Sequence, residues 1–399
     1  MTSQELIQIE DQYGAHNYHP LDVVITRGEG IWVYDVEGKK YLDFLSAYSS
    51  INQGHCHPRL VKMLTQQSKK LTITSRAFRN DQLGLLCKEV CEFTGMEMML
   101  PMNSGAEAVE TAIKTVRKWG YTKKGVEPEK AEIITCEGNF HGRTTTIVGF
   151  STEELYKKYF GPYAPGFSSI PFGDSDALER TINQNTVAFL VEPIQAEGGV
   201  LIPPEGYLKK CESICRKSNV LLVLDEIQTG LGRCGKRFAC EHENVRPDVF
   251  ILGKALSGGF YPVSAVVSTR EIMDVFTPGE HGSTFAGNPL ACSVAREALK
   301  VLIEEKLIEN SATLGTYFMD KLKTIKSKHI GDVRGRGLLI GVELNKEAGG
   351  ARRFCETLKE EGLLCKETHE DTIRFAPPLV ITKKDIDWAF ERIKKVLET

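Results

Sequence analysis

Two charged residues that close apolar runs carry the strongest chemical signal in this chain. Asp225 follows the run Val220–Leu224, and Lys254 follows the run 249–253. Runs this short, rich in branched residues and bounded by Gly and polar residues, predict strands buried on both faces of a parallel sheet. Open α/β sheets place their ligands at the carboxyl ends of their strands, so we expect the two side chains to converge there.

An amine and a carboxylate at such an edge suit pyridoxal phosphate. The Lys254 amine can bond to the aldehyde of that cofactor, and the Asp225 carboxylate can face its pyridinium nitrogen. A single lysine at a strand end is usually a surface residue, and a single aspartate after a strand usually caps a helix or a turn. The pair alone leaves both interpretations open, so the other motifs must decide between them.

A phosphate anchor is predicted where the segment 103–108 (Asn-Ser-Gly-Ala-Glu-Ala) opens a helix. Free backbone N–H groups at a helix start bind phosphate, helped by the helix dipole. Any capped helix shares this pattern. The prediction of a phosphate site is strengthened because the segment precedes the strands that end at Asp225 and Lys254.

Two further segments follow predicted strands and carry side chains suited to a cofactor site. In 138–143 (Gly-Asn-Phe-His-Gly-Arg), Phe140 can stack on a ring and Arg143 can hold a carboxylate with two hydrogen bonds. The alternative is a Gly-bounded turn with a surface arginine. Glu197 lies in the Gly-rich loop after the strand 187–191, at the same sheet edge. A loop acid is usually solvated, but beside Arg374 in a cleft it would have another role.

The segment Gly230–Gly235 (Gly-Leu-Gly-Arg-Cys-Gly) matches the glycine pattern of dinucleotide-binding sites. A nucleotide-binding oxidoreductase is therefore an alternative from a different class. No acid lies about 20 residues further on, where a strand is predicted instead, and the residues after Gly235 make a poor helix. We interpret the segment as a coincidental match.

Composition excludes several classes of function. The chain has 399 residues, 41% hydrophobic and 26% charged, as in an ordinary globular protein long enough for two domains. Its net charge of −3, with both signs interspersed, gives no basic surface for nucleic acid or an acidic membrane. No apolar stretch is long enough to span a bilayer, and the N-terminus lacks a signal- or transit-peptide pattern, so we expect a cytoplasmic protein.

The eleven cysteines predict neither a metal site nor disulfides. No Cys-x-x-Cys occurs, and the cluster at 55–57 (His-Cys-His) has no second cluster at the spacing of a zinc site. Free, mostly buried thiols are the simplest interpretation, and no metal is expected.

The elements that must position these residues alternate along the chain. Strand-like pieces at 31–35 and 41–44 predict a hairpin that turns at Gly38. From 103 to about 285 a helix at 105–119 and strands near 133–135, 187–191, 220–224 and 249–252 predict an α/β fold with a mainly parallel sheet covered by helices. A helix opening at Pro289, a strand at 338–344, helices at 351–362 and 383–397 and a strand at 373–375 predict a smaller α+β domain shared with the hairpin.

With these residues assembled, the chain resembles the fold-type I pyridoxal-phosphate enzymes, and among them the class III (ω-amino) aminotransferases. The resemblance runs from about residue 13 to the C-terminus. It is carried by YGAHNYHPL at 13–21, NQGHCHP at 52–58, LGKALSGG at 252–259 and IRFAPPL at 373–379. It implies an N-terminal segment 1–50 that packs with the small domain, a large cofactor domain 51–289 and a small C-terminal domain 290–399.

The resemblance also implies roles for individual residues. Lys254 bonds covalently to pyridoxal phosphate and moves the proton, and Asp225 pairs with the ring nitrogen. Further cofactor contacts are expected from Ser104, Gly105, Ala106, Phe140, His141, Glu192, Gln228 and, across a homodimer interface, Thr284. Substrate contacts are expected from Tyr18, Tyr48, Arg143, Glu197 and Arg374. His141 departs from the Trp of many relatives, so the packing beside Phe140 is expected to differ.

The activity implied is transfer of the δ-amino group of L-ornithine to 2-oxoglutarate. An unpaired Arg374 would bind the α-carboxylate of ornithine and present the wrong amine, so Glu197 is expected to neutralise it until glutamate or 2-oxoglutarate binds. The alternative is another ω-aminotransferase, acting on acetylornithine or 4-aminobutyrate. Tyr18 and Tyr48 favour ornithine, because they suit a free α-amino group.

Overall fold

The N-terminal part of the chain consists of one helix, three short strands and one helical turn. The computed structural model describes all 399 residues. The first elements are α1 (Ser3–Tyr13), β1 (Ile25–Glu29), β2 (Trp32–Asp35), β3 (Lys40–Asp43) and α2 (Ser46–Ser49). β2 and β3 pair antiparallel around a turn with Gly38 at φ +87°, which confirms the predicted hairpin.

The middle of the chain alternates helices and strands, as predicted. Its elements are α3 (Pro58–Ser68), α4 (Leu83–Thr94), β4 (Met98–Met102), α5 (Gly105–Trp119), β5 (Glu132–Cys136), α6 (Thr145–Gly149), α7 (Glu154–Lys157), β6 (Phe167–Ile170), α8 (Ser175–Thr181), β7 (Thr186–Val191), α9 (Tyr207–Lys217), β8 (Leu221–Asp225), β9 (Val249–Leu252), β10 (Ser264–Ser268) and α10 (Arg270–Met273).

The last part of the chain begins with two long helices and ends with a third. Its elements are α11 (Pro289–Glu304), α12 (Leu307–Leu322), β11 (Ile330–Arg336), β12 (Leu339–Leu344), α13 (Arg352–Glu360), β13 (Leu363–Leu364), β14 (Lys366–Thr368), β15 (Thr372–Phe375) and α14 (Lys383–Leu397). No helix combines the length and the apolar character needed to cross a membrane.

A seven-stranded sheet in the order β4-β10-β9-β8-β7-β5-β6 forms the centre of the fold. All neighbouring pairs from β9 to β6 are parallel, and only β10 runs antiparallel to its neighbours. Alternate residues divide between the two faces. In β8, Leu222 and Leu224 pack in one buried apolar cluster, and Leu221 and Val223 pack in the other. The continuous apolar runs therefore reflect burial on both faces, which confirms the predicted mainly parallel sheet.

Two four-stranded sheets complete the fold, and one of them joins the two ends of the chain. β13 pairs in parallel with β3, so the N-terminal hairpin becomes part of the C-terminal unit. The other sheet has the order β11-β12-β15-β14. The smaller α+β unit built from both ends is thus confirmed, whereas the boundaries at residues 50 and 289 stay a prediction.

Candidate active site

Asp225 and Lys254 lie at the ends of neighbouring strands. β8 and β9 are parallel, with Asp225 in register with Ile251, and the Glu226 amide donates to the Ile251 carbonyl at 3.0 Å. Lys254 follows two residues after β9 ends. Both side chains line one cavity of about 120 Å³, together with Gly105, Ala106, Phe140, His141, Gly142, Glu192, Ile227, Gln228 and Thr229.

Asp225 is held by donors on both of its oxygens. His141 Nδ1 donates to Oδ2 at 2.7 Å, and the Ile227 amide donates to Oδ1 at 3.1 Å. Burial would lower the pKa of His141, but the hydrogen bond and the charge of Asp225 raise it. The resemblance predicts that His141 contacts the cofactor and alters the packing beside Phe140. The structure also makes His141 a direct partner of the Asp225 carboxylate, which the spacing of these two residues in the sequence did not indicate.

Lys254 is partly buried and has a strained backbone conformation. Its φ of +43° lies in the left-handed region, which residues other than glycine seldom adopt. Such strain concentrates at functional sites, where surrounding structure imposes it. Burial lowers the pKa of Lys254 to about 8, although Glu197 and Asp225 act in the opposite direction. At such a pKa roughly a tenth of the amine is neutral at pH 7, far more than for an ordinary lysine, and this neutral form can act as a nucleophile or proton acceptor.

The start of α5 presents two free backbone donors to the cavity. Ser104 Oγ accepts from the Glu107 amide at 3.2 Å, and the Glu107 carboxylate accepts from the Ser104 amide at 2.8 Å. This capping box uses the groups of Ser104 and leaves the amides of Gly105 and Ala106 for an anion. Ser104 therefore shapes the anion site through the cap.

A cluster of polar side chains surrounds Arg374 on β15. Arg374 Nη1 donates to Glu197 Oε1 at 2.6 Å and to Gln228 Oε1 at 3.3 Å, and Gln228 Nε2 donates to the same Glu197 oxygen at 3.1 Å. Burial would raise the pKa of Glu197, but the charges of Arg374 and Lys254 lower it to about 2. The Nε and Nη2 atoms of Arg374 are buried without a partner. They form a ready binding site for a carboxylate.

Tyr48 completes this cluster from an unusual turn. Its ring centroid lies 5.4 Å from the guanidinium carbon of Arg374. All four residues of α2 have positive φ, between 46° and 70°, so α2 is a single left-handed turn without glycine. A conformation this costly persists only where the surroundings impose it, and here it presents Tyr48 to Arg374.

Glu192 is a buried carboxyl in the lining of the cavity, and its environment favours the protonated form at neutral pH. Burial raises its pKa to about 8. Its Oε1 accepts from the Phe140 amide at 2.9 Å, and this bond fixes the backbone of the segment that carries Phe140 and His141.

Three predicted residues lie outside both the cavity and the Arg374 cluster in this single chain: Tyr18, Arg143 and Thr284. Tyr18 and Thr284 are exposed, and Tyr18 shares a neighbouring cavity with Tyr48. The guanidinium carbon of Arg143 lies 3.7 Å from the ring centroid of Tyr156. No sequence signal points to Tyr156, since a lone tyrosine in a short helix has no distinguishing pattern.

The residues of the cavity fit pyridoxal phosphate. Two free amides face the position of an anion, a fixed carboxylate suits a protonated ring nitrogen, and a buried amine of lowered pKa suits an aldehyde. No group of three or more acidic, histidine or cysteine side chains is arranged to hold a metal ion.

Comparison with known proteins gives consistent matches over the whole chain. The family described as Aminotransferase class-III matches residues 13–397. A protein of Geobacillus sp. (strain WCH70) named ornithine aminotransferase is 59% identical over 392 residues, which cover 98% of this chain and 98% of that protein.

Solved structures share the fold. The crystal structure of the ornithine aminotransferase from Toxoplasma gondii ME49 matches with a TM-score of 0.98 at 46% identity, covering 100% of this chain and 95% of that one. That of an acetylornithine aminotransferase from Elizabethkingia anophelis matches with a TM-score of 0.91 at 49% identity, covering 100% and 99%. These matches confirm the predicted fold-type I architecture.

Proposed function

The chain belongs to the class-III aminotransferases, which are pyridoxal-phosphate-dependent enzymes, and from this premise we propose its substrates and the roles of its residues. It transfers the δ-amino group of L-ornithine to 2-oxoglutarate, giving L-glutamate 5-semialdehyde, which cyclises to pyrroline-5-carboxylate, and glutamate. Relatives at 59% identity bear the name of this activity. The observation that carries the proposal is the pairing of Glu197 with the buried Arg374 at 2.6 Å.

The cofactor, when bound, supplies an aldehyde that takes up the amino group and a ring that withdraws electrons from the carbon beside it. Asp225 would keep the ring nitrogen of the bound cofactor protonated, and His141 and the Ile227 amide keep the Asp225 carboxylate in place. A carboxylate in contact with a cation at an effective dielectric near 20 contributes about 4 kcal/mol, or roughly three pKa units. Phe140 would stack on the ring, and Gln228 would contact its phenolic oxygen.

Lys254 moves the proton. Because burial lowers its pKa to about 8, Nζ forms the neutral amine far more readily than an ordinary lysine, and it would accept the proton of the substrate carbon and later return it. One lysine thus serves both as the attachment point and as the acid–base group.

Arg374 and Glu197 decide which amine reacts. Ornithine must present its δ-amine, whereas glutamate presents its α-amine with a carboxylate beside it. A neutralised Arg374 does not attract the α-carboxylate of ornithine, which Arg143 binds instead, with Tyr18 and Tyr48 near its α-amino group. The free Nε and Nη2 of Arg374 then serve the dicarboxylate once Glu197 turns away.

The proposed substrate is tested by a visible spectrum of the holoenzyme. Adding L-ornithine is expected to remove the absorbance band of the lysine-bound cofactor, and adding 2-oxoglutarate is expected to restore it. Loss of the band with N-acetylornithine but not with ornithine would move the enzyme to the activity named for the Elizabethkingia protein.

Replacing Glu197 by Ala should shift preference from ornithine toward glutamate. Arg374 loses its counter-charge and attracts α-carboxylates, and uncoupling such a pair corresponds to about 3 kcal/mol, roughly a hundredfold in preference. The measurement is the ratio of kcat/KM for the two amino donors, together with the fraction of ornithine converted at its α-amine. Unchanged regiochemistry would remove this role from Glu197.

A homodimer is proposed in which Thr284 completes the partner's phosphate site. Thr284 is exposed, and exposed apolar side chains lie in its own segment (Phe285) and in the segment 71–78 (Leu71, Ile73 and Phe78). The two segments meet near the point where Asn80 Nδ2 donates to the Gly287 carbonyl at 3.0 Å. Exposed apolar side chains of this kind are typical of a subunit interface.

Mixed dimers test this arrangement. Lys254→Ala and Thr284→Glu homodimers should each be inactive. Hybrids of the two should regain activity, because one site then combines an intact Lys254 with the partner's intact Thr284. Hybrids without activity would place Thr284 in its own subunit's site.

The cytoplasmic location stays a prediction.

A further inference from the structure

The loop that carries Glu197 is closed on itself and strained. We call residues Gln195–Leu201 the Glu197 loop. Gln195 and Leu201 exchange two backbone hydrogen bonds, at 3.2 and 3.0 Å, so the loop is pinched at its base. Val200 within it has φ +55°, which is a rare conformation for a β-branched residue. Contacts with residues outside the loop must therefore stabilise this conformation.

The Glu197 loop rests on the C-terminal sheet above a glycine. Gly341 on β12 is in register with Arg334 on β11 and with Arg374 on β15. Residues in register across neighbouring strands share one face, so two arginines flank Gly341 on the same side. A Cβ at Gly341 would lie 3.2 Å from the Gly199 carbonyl oxygen and 3.1 Å from the Val200 Cβ. The glycine thus leaves room for the loop between the arginines.

The two arginines hold the loop in different ways. Arg334 donates to its backbone, with Nη2 to the Gly199 carbonyl at 2.8 Å and Nε to the Val200 carbonyl at 3.1 Å. Arg374 bonds the side chain of Glu197 at its Oε1 and touches the loop backbone only weakly, at the Ala196 carbonyl, 3.3 Å away.

The charge of Arg334 is already satisfied within its own sheet. Asp332 and Glu343 both form ion pairs with Nη1, while Nε and Nη2 bond the loop carbonyls. A second tether comes from Thr368, whose hydroxyl donates to the Glu197 carbonyl. Arg334 does not line the cavity, and all three of its nitrogens bond the loop backbone or its own sheet, so its contribution is to hold the backbone of the Glu197 loop.

We propose that Arg334 is a positioning residue that clamps the backbone of the Glu197 loop, so that the Glu197–Arg374 pair opens only by rotation of the Glu197 side chain. The inference rests on the proposed function, in which that pair is closed for ornithine and open for a dicarboxylate. Without the clamp, the strained loop relaxes as a whole and carries Glu197 away from Arg374. The site then favours dicarboxylates before any has bound.

The test is the binding of glutarate, a five-carbon dicarboxylate without an amine, to the holoenzymes of wild type, Arg334→Met and Arg334→Lys. Arg334→Met should bind glutarate about fivefold more tightly or better, within the ordinary range of coupling between sites. Its kcat/KM for ornithine should fall while that for glutamate rises. Arg334→Lys keeps the charge but cannot bond two carbonyls through a planar fork, so it should shift in the same direction. If the Arg334→Met variant does not fold, the Arg334→Lys variant tests the same prediction.

Arg336→Met is the matched control, because Arg336 lies on the same strand and makes no side-chain hydrogen bond or ion pair. It should leave glutarate affinity and the ratio of donors unchanged. A merely structural role for Arg334 would lower the unfolding temperature with unchanged glutarate affinity, and this result would overturn the proposal. An Arg334→Lys variant with the glutarate affinity and donor ratio of the wild type would also overturn the proposal. Because glutarate binding is measured without turnover, a failure of ornithine as substrate would be seen separately, in the wild type.

Discussion

At the scale of single residues, burial and pairing set opposite charge states on similar groups. Burial raises the pKa of Glu192 to about 8 and lowers that of Lys254 to about 8, so in each group it shifts the protonation equilibrium toward the neutral form. Glu197 stays ionised because Arg374 lies against it, with a pKa of about 2. The site therefore keeps Glu197 ionised, where it distinguishes the two substrates, and lowers the pKa of Lys254, which must accept a proton.

His141 should be required for tight cofactor binding through its bond to Asp225. Replacing it by Phe leaves one carboxylate oxygen without its donor, and a hydrogen bond to a charged group is worth about 1.5–3 kcal/mol, or roughly tenfold or more in affinity. The measurement is the dissociation constant of pyridoxal phosphate from the apoenzyme. His141→Asn keeps an N–H donor and should retain more of the affinity. Equal losses in both variants would point to packing instead.

At the scale of elements, glycines that resemble a binding motif serve close packing. A Cβ at Gly235 in the segment Gly230–Gly235 would lie 2.8 Å from the Cα of Ala312 on α12. Arg233 in the same segment is fully buried and donates to the carbonyls of Leu338 and Pro377 at 2.9 and 2.7 Å. The segment packs against the C-terminal unit, and this close packing explains its glycines. No bound nucleotide is needed to account for them.

Gly315→Ala in α12 should destabilise the protein although alanine is the better helix former. A Cβ there would lie 2.1 Å from the Gly337 carbonyl oxygen, and forced overpacking costs about 1–3 kcal/mol. Gly84→Ala in α4 is the control, because nothing lies within 4 Å of its Cβ position. It should stabilise by about 0.5–1 kcal/mol. The free energy of unfolding in denaturant measures both, and a stabilised Gly315 variant would contradict the close contact.

At the scale of the whole molecule, buried carboxyls make stability depend on pH. Glu226 accepts from the amides of Ala239 and Cys240 at 3.0 and 2.9 Å, and burial raises its pKa from 4.5 to about 7. A raised pKa in the folded state favours the protonated form. Its contribution is complete below pH 4.5 and is lost as pH rises through 7.

Glu226→Gln should therefore flatten the pH dependence of stability between pH 5 and 8. The shift corresponds to about 3 kcal/mol, because each pKa unit is worth about 1.4 kcal/mol. The free energy of unfolding of the holoenzyme, measured across this range for both proteins, gives the difference in slope. Parallel curves of unfolding free energy against pH for the two proteins would show that Glu226 has the same pKa in the folded and unfolded states.

The sequence by itself determined the elements and the chemistry. The apolar runs predicted strands buried on two faces, the capping segment at Ser104 predicted the start of α5, and the residues at two strand ends predicted the cofactor. These features depend on local propensity, on periodicity and on the rule that parallel strand ends meet at one edge, all of which a linear pattern contains.

Only the tertiary structure decided which side chains meet. The bond from His141 to Asp225, the left-handed turn that presents Tyr48, and the row formed by Arg334, Gly341 and Arg374 join residues far apart in the chain. Their contacts depend on strand register and on close packing, where a shift of one residue moves a side chain to the opposite face. That information belongs to the assembled sheets, because register is set jointly by every strand and loop that packs against them.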